Sequence, residues 1–201
     1  PTYFSGSECA AQVVDCRLSQ TWAVLSAGAR PSFEGCSFMD QYPLEVLDPS
    51  DARWPVWGSG NTFEHASPRI RLYGIVAGDC TLPTFSGMRR YSIDSNDLYV
   101  ANGHTLTMPA GTDLTISHNR RLEVAAGVVI AEGTETSPVV IGGQGRGALR
   151  LQPGSDSSML NHCQISGYKY ISSGCTLQSC ELTGPTYFSG SECAAQVVDC
   201  R

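Results

Sequence analysis

Four stretches of the chain place a large apolar residue two positions after a cysteine: HCQISG (162–167), SCELTG (179–184), DCRLSQ (15–20) and GCSFMD (35–40). On an extended chain, side chains two apart share a face. Cys163 and Ile165, Cys180 and Leu182, Cys16 and Leu18, and Cys36 and Phe38 are therefore expected to point the same way, with Gln164, Glu181, Arg17 and Ser37 opposite. A fifth stretch, GNTFEH (60–65), keeps the spacing with Asn61 in the cysteine place and Phe63 in the apolar one. Cys163 is followed by Cys180, Cys180 by Cys200, and Cys16 by Cys36, at intervals of 17, 20 and 20 positions. One short strand and its turns recurring every 20 residues or so is the signature of a solenoid.

A second feature sets the order of these copies. The segment PTYFSGSECAAQVVDCR occupies Pro1–Arg17 and recurs without a change at Pro185–Arg201. Chance does not give identity of that length, and an old duplication would have gathered substitutions. Joined through the resulting offset of 184 positions (1 to 185), the four cysteine stretches become consecutive and keep their spacing of 20 across the join. An artificial duplication would not explain that register. The expectation is one β-solenoid domain over 1–201, a window on a tandem array of 184-residue repeats. Each repeat would hold about nine coils, or roughly 43 Å at about 4.8 Å per coil.

Gly (21) and Pro (11), with clusters of Ser, Thr, Asn and Asp, interrupt every candidate amphipathic helix. Leucine-rich repeats share the period, but their L-x-x-L-x-L framework is missing. The chain reads as all-β. Its net charge of −6 argues against nucleic acid or an anionic membrane surface as partner. Its cations are twelve arginines and the single Lys169. No stretch approaches the roughly 18–20 apolar residues of a membrane span.

Residues 98–152 resemble secreted bacterial right-handed parallel β-helix proteins of the pectate-lyase-like type. The matching residues are Gly103, Leu106, Pro109, Gly111, Thr112, Leu122, Val124, Gly127, Ala131, Gly133, Thr134, Pro138 and Val139. Met108–Pro109–Ala110–Gly111 departs from the usual order by a single position. The resemblance implies a right-handed parallel β-helix of about nine coils of roughly 20 residues each. It also implies an extracellular or cell-surface, bacterial location. It does not choose a function, because such scaffolds host lyases, adhesins and inert shafts.

Cys16, Cys36, Cys163, Cys180 and Cys200 form the expected structural column, and Cys175 with Cys193 a second one, offset by 18 positions. Adjacent coils bring Cα atoms within disulfide range, so a stapled shaft and a stack of buried thiols both remain open. Cys80 stands alone. No C-x-x-C pair or Cys/His quartet indicates a metal, and no cofactor is expected. The segment DPSDARWPVWGSG (48–60) interrupts the coil rhythm. Tyr42, Arg53, Trp54 and Trp57 form a candidate contact loop there, stacking on a sugar or a neighbouring shaft, unless the rings fold down over the coils.

No ladder of carboxylates stands on adjacent coils, as a Ca²⁺-dependent lyase would need. Asp94 and Asp97, and Asp48 and Asp51, read as turn residues. His65, His104, His118 and His162 lack ligand-spaced partners, and GQGRGA (143–148) opens no helix. Arg89–Arg90 and Arg120–Arg121 read as solvated turn charges, and Glu181 with Arg201 as an exposed pair between coils. The function expected is structural and non-enzymatic: a repeat of an extracellular fibre or giant surface adhesin whose main partner is itself. The alternative is a carbohydrate-active β-helix, a polysaccharide lyase or a glycan-binding module.

Overall fold

The computed structural model describes residues 1–191 and 193–201. They form strands and turns, with one 3-10 turn at Asp51–Arg53. Each coil has up to three strands. The first is β1 (Thr2–Ser5), β2 (Gln12–Val14) and β3 (Arg17–Leu18). The second is β4 (Ala23–Ser26), β5 (Ser32–Glu34) and β6 (Ser37–Phe38). The third is β7 (Leu44–Leu47), β8 (Val56–Trp57) and β9 (Thr62–Phe63). The fourth is β10 (Ile70–Ile75), β11 (Cys80–Thr81) and β12 (Arg90–Ile93). The fifth is β13 (Leu98–Val100), β14 (Thr105–Pro109) and β15 (Asp113–Ile116). The sixth is β16 (Arg121–Val124), β17 (Val128–Glu132) and β18 (Val139–Gly143). The seventh is β19 (Ala148–Leu151), β20 (Met159–Asn161) and β21 (Cys163–Ser166). The eighth is β22 (Tyr168–Ile171), β23 (Thr176–Gln178) and β24 (Glu181–Leu182). The ninth is β25 (Thr186–Phe188) and β26 (Gln196–Val198).

With one exception, every strand pairing joins a strand to the third one after it, in parallel. This is an all-β parallel solenoid of about nine coils with three faces. On each face alternate side chains turn inward and stack in columns: Met108, Ala131, Leu160 and Leu177 on the second, and Leu114, Ile141, Ile165 and Leu182 on the third. These columns make one continuous apolar core. Burial of such columns on every coil drives the fold. Among the described residues no helix is long and apolar enough to cross a membrane.

Coil length is less regular than a 20-residue period. Register on the first face advances by 21 positions from Thr2 to Ala23, by 27 from Arg121 to Ala148 and by 17 from Lys169 to Thr186. The strands stay short while the connections between faces change length. The two copies of the duplicated segment stand eight coils apart, β1 and β25 on the first face and β2 and β26 on the second. The 184 positions from one copy to the other therefore span eight coils rather than nine, with a mean coil length of 23 (184 divided by eight). The rise over those eight coils is about 38 Å at about 4.8 Å per coil.

The exception lies at β10, which pairs with β7 below and with both β12 and β13 above. On the second and third faces β8 and β9 end three-stranded sheets, and the next coil's strands belong to other sheets. The solenoid thus has a seam between its third and fourth coils, bridged by β10. Arg71 on β10 lies 3.0 Å from Asp94 and 3.7 Å from Glu45. Arg69 reaches across to Asp113 through two hydrogen bonds of 3.1 and 2.9 Å.

Candidate functional site

The cysteine column sits at the bend between the second and third faces. The register aligns Cys16 with Cys36, Cys36 with Asn61, and Cys163 with Cys180. Cys200 follows Cys180, since the Arg201 N–H bonds the Cys180 carbonyl and the Arg201 carbonyl accepts from Leu182. The residue before each of these positions has a left-handed backbone: Asp15, Gly35, Gly60, His162, Ser179 and Asp199, with φ between 48° and 74°. That conformation turns the chain sharply, while the backbone hydrogen bonds between coils continue through it, as from Asp15 N–H to Glu34 O and from His162 N–H to Gln178 O. At Gly35 a side chain is excluded, since a Cβ would run into the Asp15 carboxylate.

The thiols add a further donor to carbonyls at this bend. Cys36 Sγ donates to Val13 O and Glu34 O, both at 3.3 Å, and Cys180 Sγ to Leu160 O and Gln178 O, both at 3.2 Å. Cys163 and Cys200 repeat the pattern, each with one carbonyl two positions back and one on the preceding coil. All nine cysteines are free thiols. The thiol of Cys163 holds Cys180 down to about 7, against the opposing effect of burial, while Cys163 itself is pushed far up by Cys180 and by burial. Cys80 is pushed up to about 12, chiefly by burial and then by Asp51.

The second expected column is corrected by the register. Thr176 aligns with Gln196, which sets Cys175 opposite Ala195 rather than Cys193. The chain advances by 20 positions between these coils (176 to 196), two more than the offset of the two cysteines (175 to 193). Cys193 instead donates to Ile171 O at 3.4 Å.

The four residues of the candidate contact loop do not come together. Tyr42 lies under Arg71, whose guanidinium carbon is 3.8 Å from the ring centroid. Arg53 donates to Asp48 O at 2.9 Å, tying the loop down. Trp54 is 7% exposed and meets Phe85 and Tyr91 edge-on. Trp57 belongs to β8, aligned with Phe33, and stacks on Phe38 and Phe63 at 5.2 and 5.4 Å. Its Nε1 donates to Ser86 Oγ at 3.1 Å. The rings fold down. They pack the seam where ladder hydrogen bonds stop, and apolar contact replaces the missing pairing. Trp54 is buried and Trp57 half-buried.

Outside the seam lies a cleft of about 1070 Å³ lined by residues including Phe63, His65, Met88, Arg89, Arg90 and Asp113. Asp113 is the one carboxylate among its described lining residues. Among the described residues no three His, Cys, Asp or Glu side chains gather as a metal site. The Glu181–Arg201 pair stands at 3.6 Å, with Arg201 exposed. The sequence pattern gave no sign of the left-handed residue before each column position. Asp, Gly, His and Ser share that backbone without sharing chemistry, and only the column residue after them recurs. Comparison with protein families, curated proteins and solved structures gives no match.

Proposed function

We propose that the chain is a structural repeat of an extracellular fibre or giant surface adhesin of bacterial type, continuing end to end as a stiff β-solenoid shaft. The observation that carries this reading is the complementarity of the two identical coils. In the first copy Phe4 aligns with Leu25 and meets the Phe33 ring edge-on at 6.0 Å, so it is only 8% exposed. In the second copy the same residue, Phe188, aligns with Ile171 on the coil before it and is 51% exposed.

One copy is thus seen with its following coil and the other with its preceding coil. A single sequence accepts both neighbours, which is what an interior coil of an array requires. Joined through the shared segment, the apolar columns run on without interruption and no strand edge is left at the junction. The function is mechanical. Each added period lengthens the core by about 38 Å and repeats the same outer surface, giving a multivalent rod.

The test is small-angle scattering on a chain of two periods that share the duplicated coil, set beside the present chain. The expected result is an unchanged cross-section and a maximum dimension longer by about 38 Å. Two bodies at a variable angle would overturn the reading. Electron microscopy of the native protein should then show a fibre with the same axial repeat. A discrete single-unit particle would exclude the fibre.

A further inference from the structure

A notch on the first face is not absorbed by the shaft reading. The register places Arg121, Ala148 and Tyr168 opposite one another on the sixth, seventh and eighth coils. Two positions along each strand stand Glu123, Arg150 and Tyr170, with Tyr187 following on the ninth. These side chains lie on the outer side, because Leu122, Leu149 and Ile171 between or beside them are buried. Ala148 is the smallest of the set. Its methyl group leaves a gap between Arg121 and Tyr168 of two strand spacings, about 9–10 Å. The resulting notch of about 420 Å³ is lined also by Arg120, Arg146, Arg150 and Tyr170.

The charges in the notch are unequal in their engagement. Arg121 is held by Asp97 at 2.6 Å and Glu123 at 3.3 Å. Arg120 gives its Nε to the Asp94 carbonyl at 3.3 Å and has no carboxylate partner among the described residues. Arg146 is exposed, and neither it nor Arg150 has a hydrogen-bond acceptor or ion-pair partner among the described residues. The Arg150 guanidinium lies over the Tyr170 ring at 4.9 Å, and its Nε is shut off from solvent without a partner. The rings of Tyr168, Tyr170 and Tyr187 are parallel to within 13°.

We propose that this notch binds a phosphate monoester carried on a ring. Three guanidinium groups without carboxylate partners among the described residues face one small space, more charge than a single carboxylate balances. A phosphate monoester brings close to two negative charges at neutral pH and three strong acceptor oxygens. Arginine forks match such oxygens two at a time. The parallel tyrosine rings beside them suit the flat or puckered ring that bears the ester. The chain as a whole carries a net charge of −6, so this concentration of free cations is local.

The test is titration calorimetry of the full chain with phenyl phosphate, inorganic phosphate and glucuronate. Phenyl phosphate is expected to bind at one site, about tenfold tighter than either of the others. Arg146→Gln alters an exposed side chain without a hydrogen bond or ion pair among the described residues, and should weaken phenyl phosphate about tenfold. Arg30→Gln, equally exposed on the second coil, should leave it unchanged. Ala148→Gln fills the notch and should abolish binding while the circular dichroism spectrum stays that of the parent. Glucuronate binding as tightly as phenyl phosphate would overturn the proposal, and so would inorganic phosphate doing so. Equal losses in Arg146→Gln and Arg30→Gln, or no binding of phenyl phosphate at all, would overturn it as well.

Discussion

Asn61 stands one coil beyond Cys36 and does with a carboxamide what the cysteines do with a thiol. Its Oδ1 accepts the Cys36 backbone N–H at 2.9 Å, and its Nδ2 donates to Phe33 O at 2.8 Å and Gly58 O at 3.0 Å. The shared feature of the column is therefore a small side chain able to donate to carbonyls at a left-handed bend. Replacing Asn61 with Ala strands the Cys36 N–H and Gly58 O, while Phe33 O keeps the Gly58 N–H, and should cost about 2–4 kcal/mol. Asn61→Cys, which restores one donor, should cost about half as much. Urea unfolding of both variants would check the order.

Trp54 provides the second prediction. It fills the seam against Phe85 and Tyr91, so Trp54→Ala should destabilise by about 3–5 kcal/mol through the cavity it leaves. Hydrogen exchange should quicken first in β8, β9 and β11, which lack ladder partners across the seam. If exchange quickens evenly along the chain, the seam is no weaker than its surroundings.

The third prediction compares two copies of one residue. Phe4→Ala should cost about 3 kcal/mol and Phe188→Ala about 1 kcal/mol in the present chain, since only the first ring is covered on its outer side. In a chain of two periods, the same substitution at the shared coil should reach the larger value or exceed it. Calorimetric unfolding of the three variants reads this directly.

Lys169 makes its own contribution to the pH dependence of stability. It lies on the inner side of β22, fully buried, and its Nζ donates to Gly167 O at 2.8 Å and Thr183 O at 2.6 Å, with no carboxylate partner among the described residues. Burial lowers its pKa from the usual lysine range. Below the folded-state value both states are charged, and the penalty for burying the ammonium is constant. Between that value and about 10.4 the unfolded chain binds the extra proton, so stability rises with pH. Measured against Lys169→Met, the parent's unfolding midpoint should rise over this alkaline window, while the thiols of Cys80 and Cys163, whose pKa values folding raises, act in the opposite sense in both chains.

The thiols should separate by exposure and protonation. Cys16 is exposed, whereas Cys80 is buried with its pKa raised to about 12. Brief alkylation at pH 8, mapped by mass spectrometry, should modify Cys16 first and leave Cys80 intact until the chain unfolds. Early modification of Cys80 would mean that the fourth coil opens locally.

Much of the architecture is legible in residue spacing. Cys163–Ile165 and Cys36–Phe38 announce the strand of the third face because a period of two is enforced wherever one side is buried. Asn61 and Phe63 could be assigned to the same place for that reason, and Glu181 could be set beside Arg201. Coil length was less legible, since loops change length without disturbing the columns, and eight coils rather than nine separate the two copies of the duplicated segment. Cys175 and Cys193 were misaligned for the same cause. Arg120 and Arg121 read as turn charges, because the notch depends on Ala148 standing a full coil away in space.

The duplicated segment, the all-β character and the inward columns were determined by the chain itself, through local alternation and repetition that need no knowledge of distant contacts. The seam, the inward turn of Trp54 and Trp57 and the convergence of arginines at Ala148 were decided only by the tertiary structure. Each depends on which residues meet after a full coil, an advance of 17 to 29 positions (164 to 181, 130 to 159). A spacing that varies so widely leaves no periodic trace in sequence, and only the closed core, by fixing every strand against its neighbour, sets which side chains face one another.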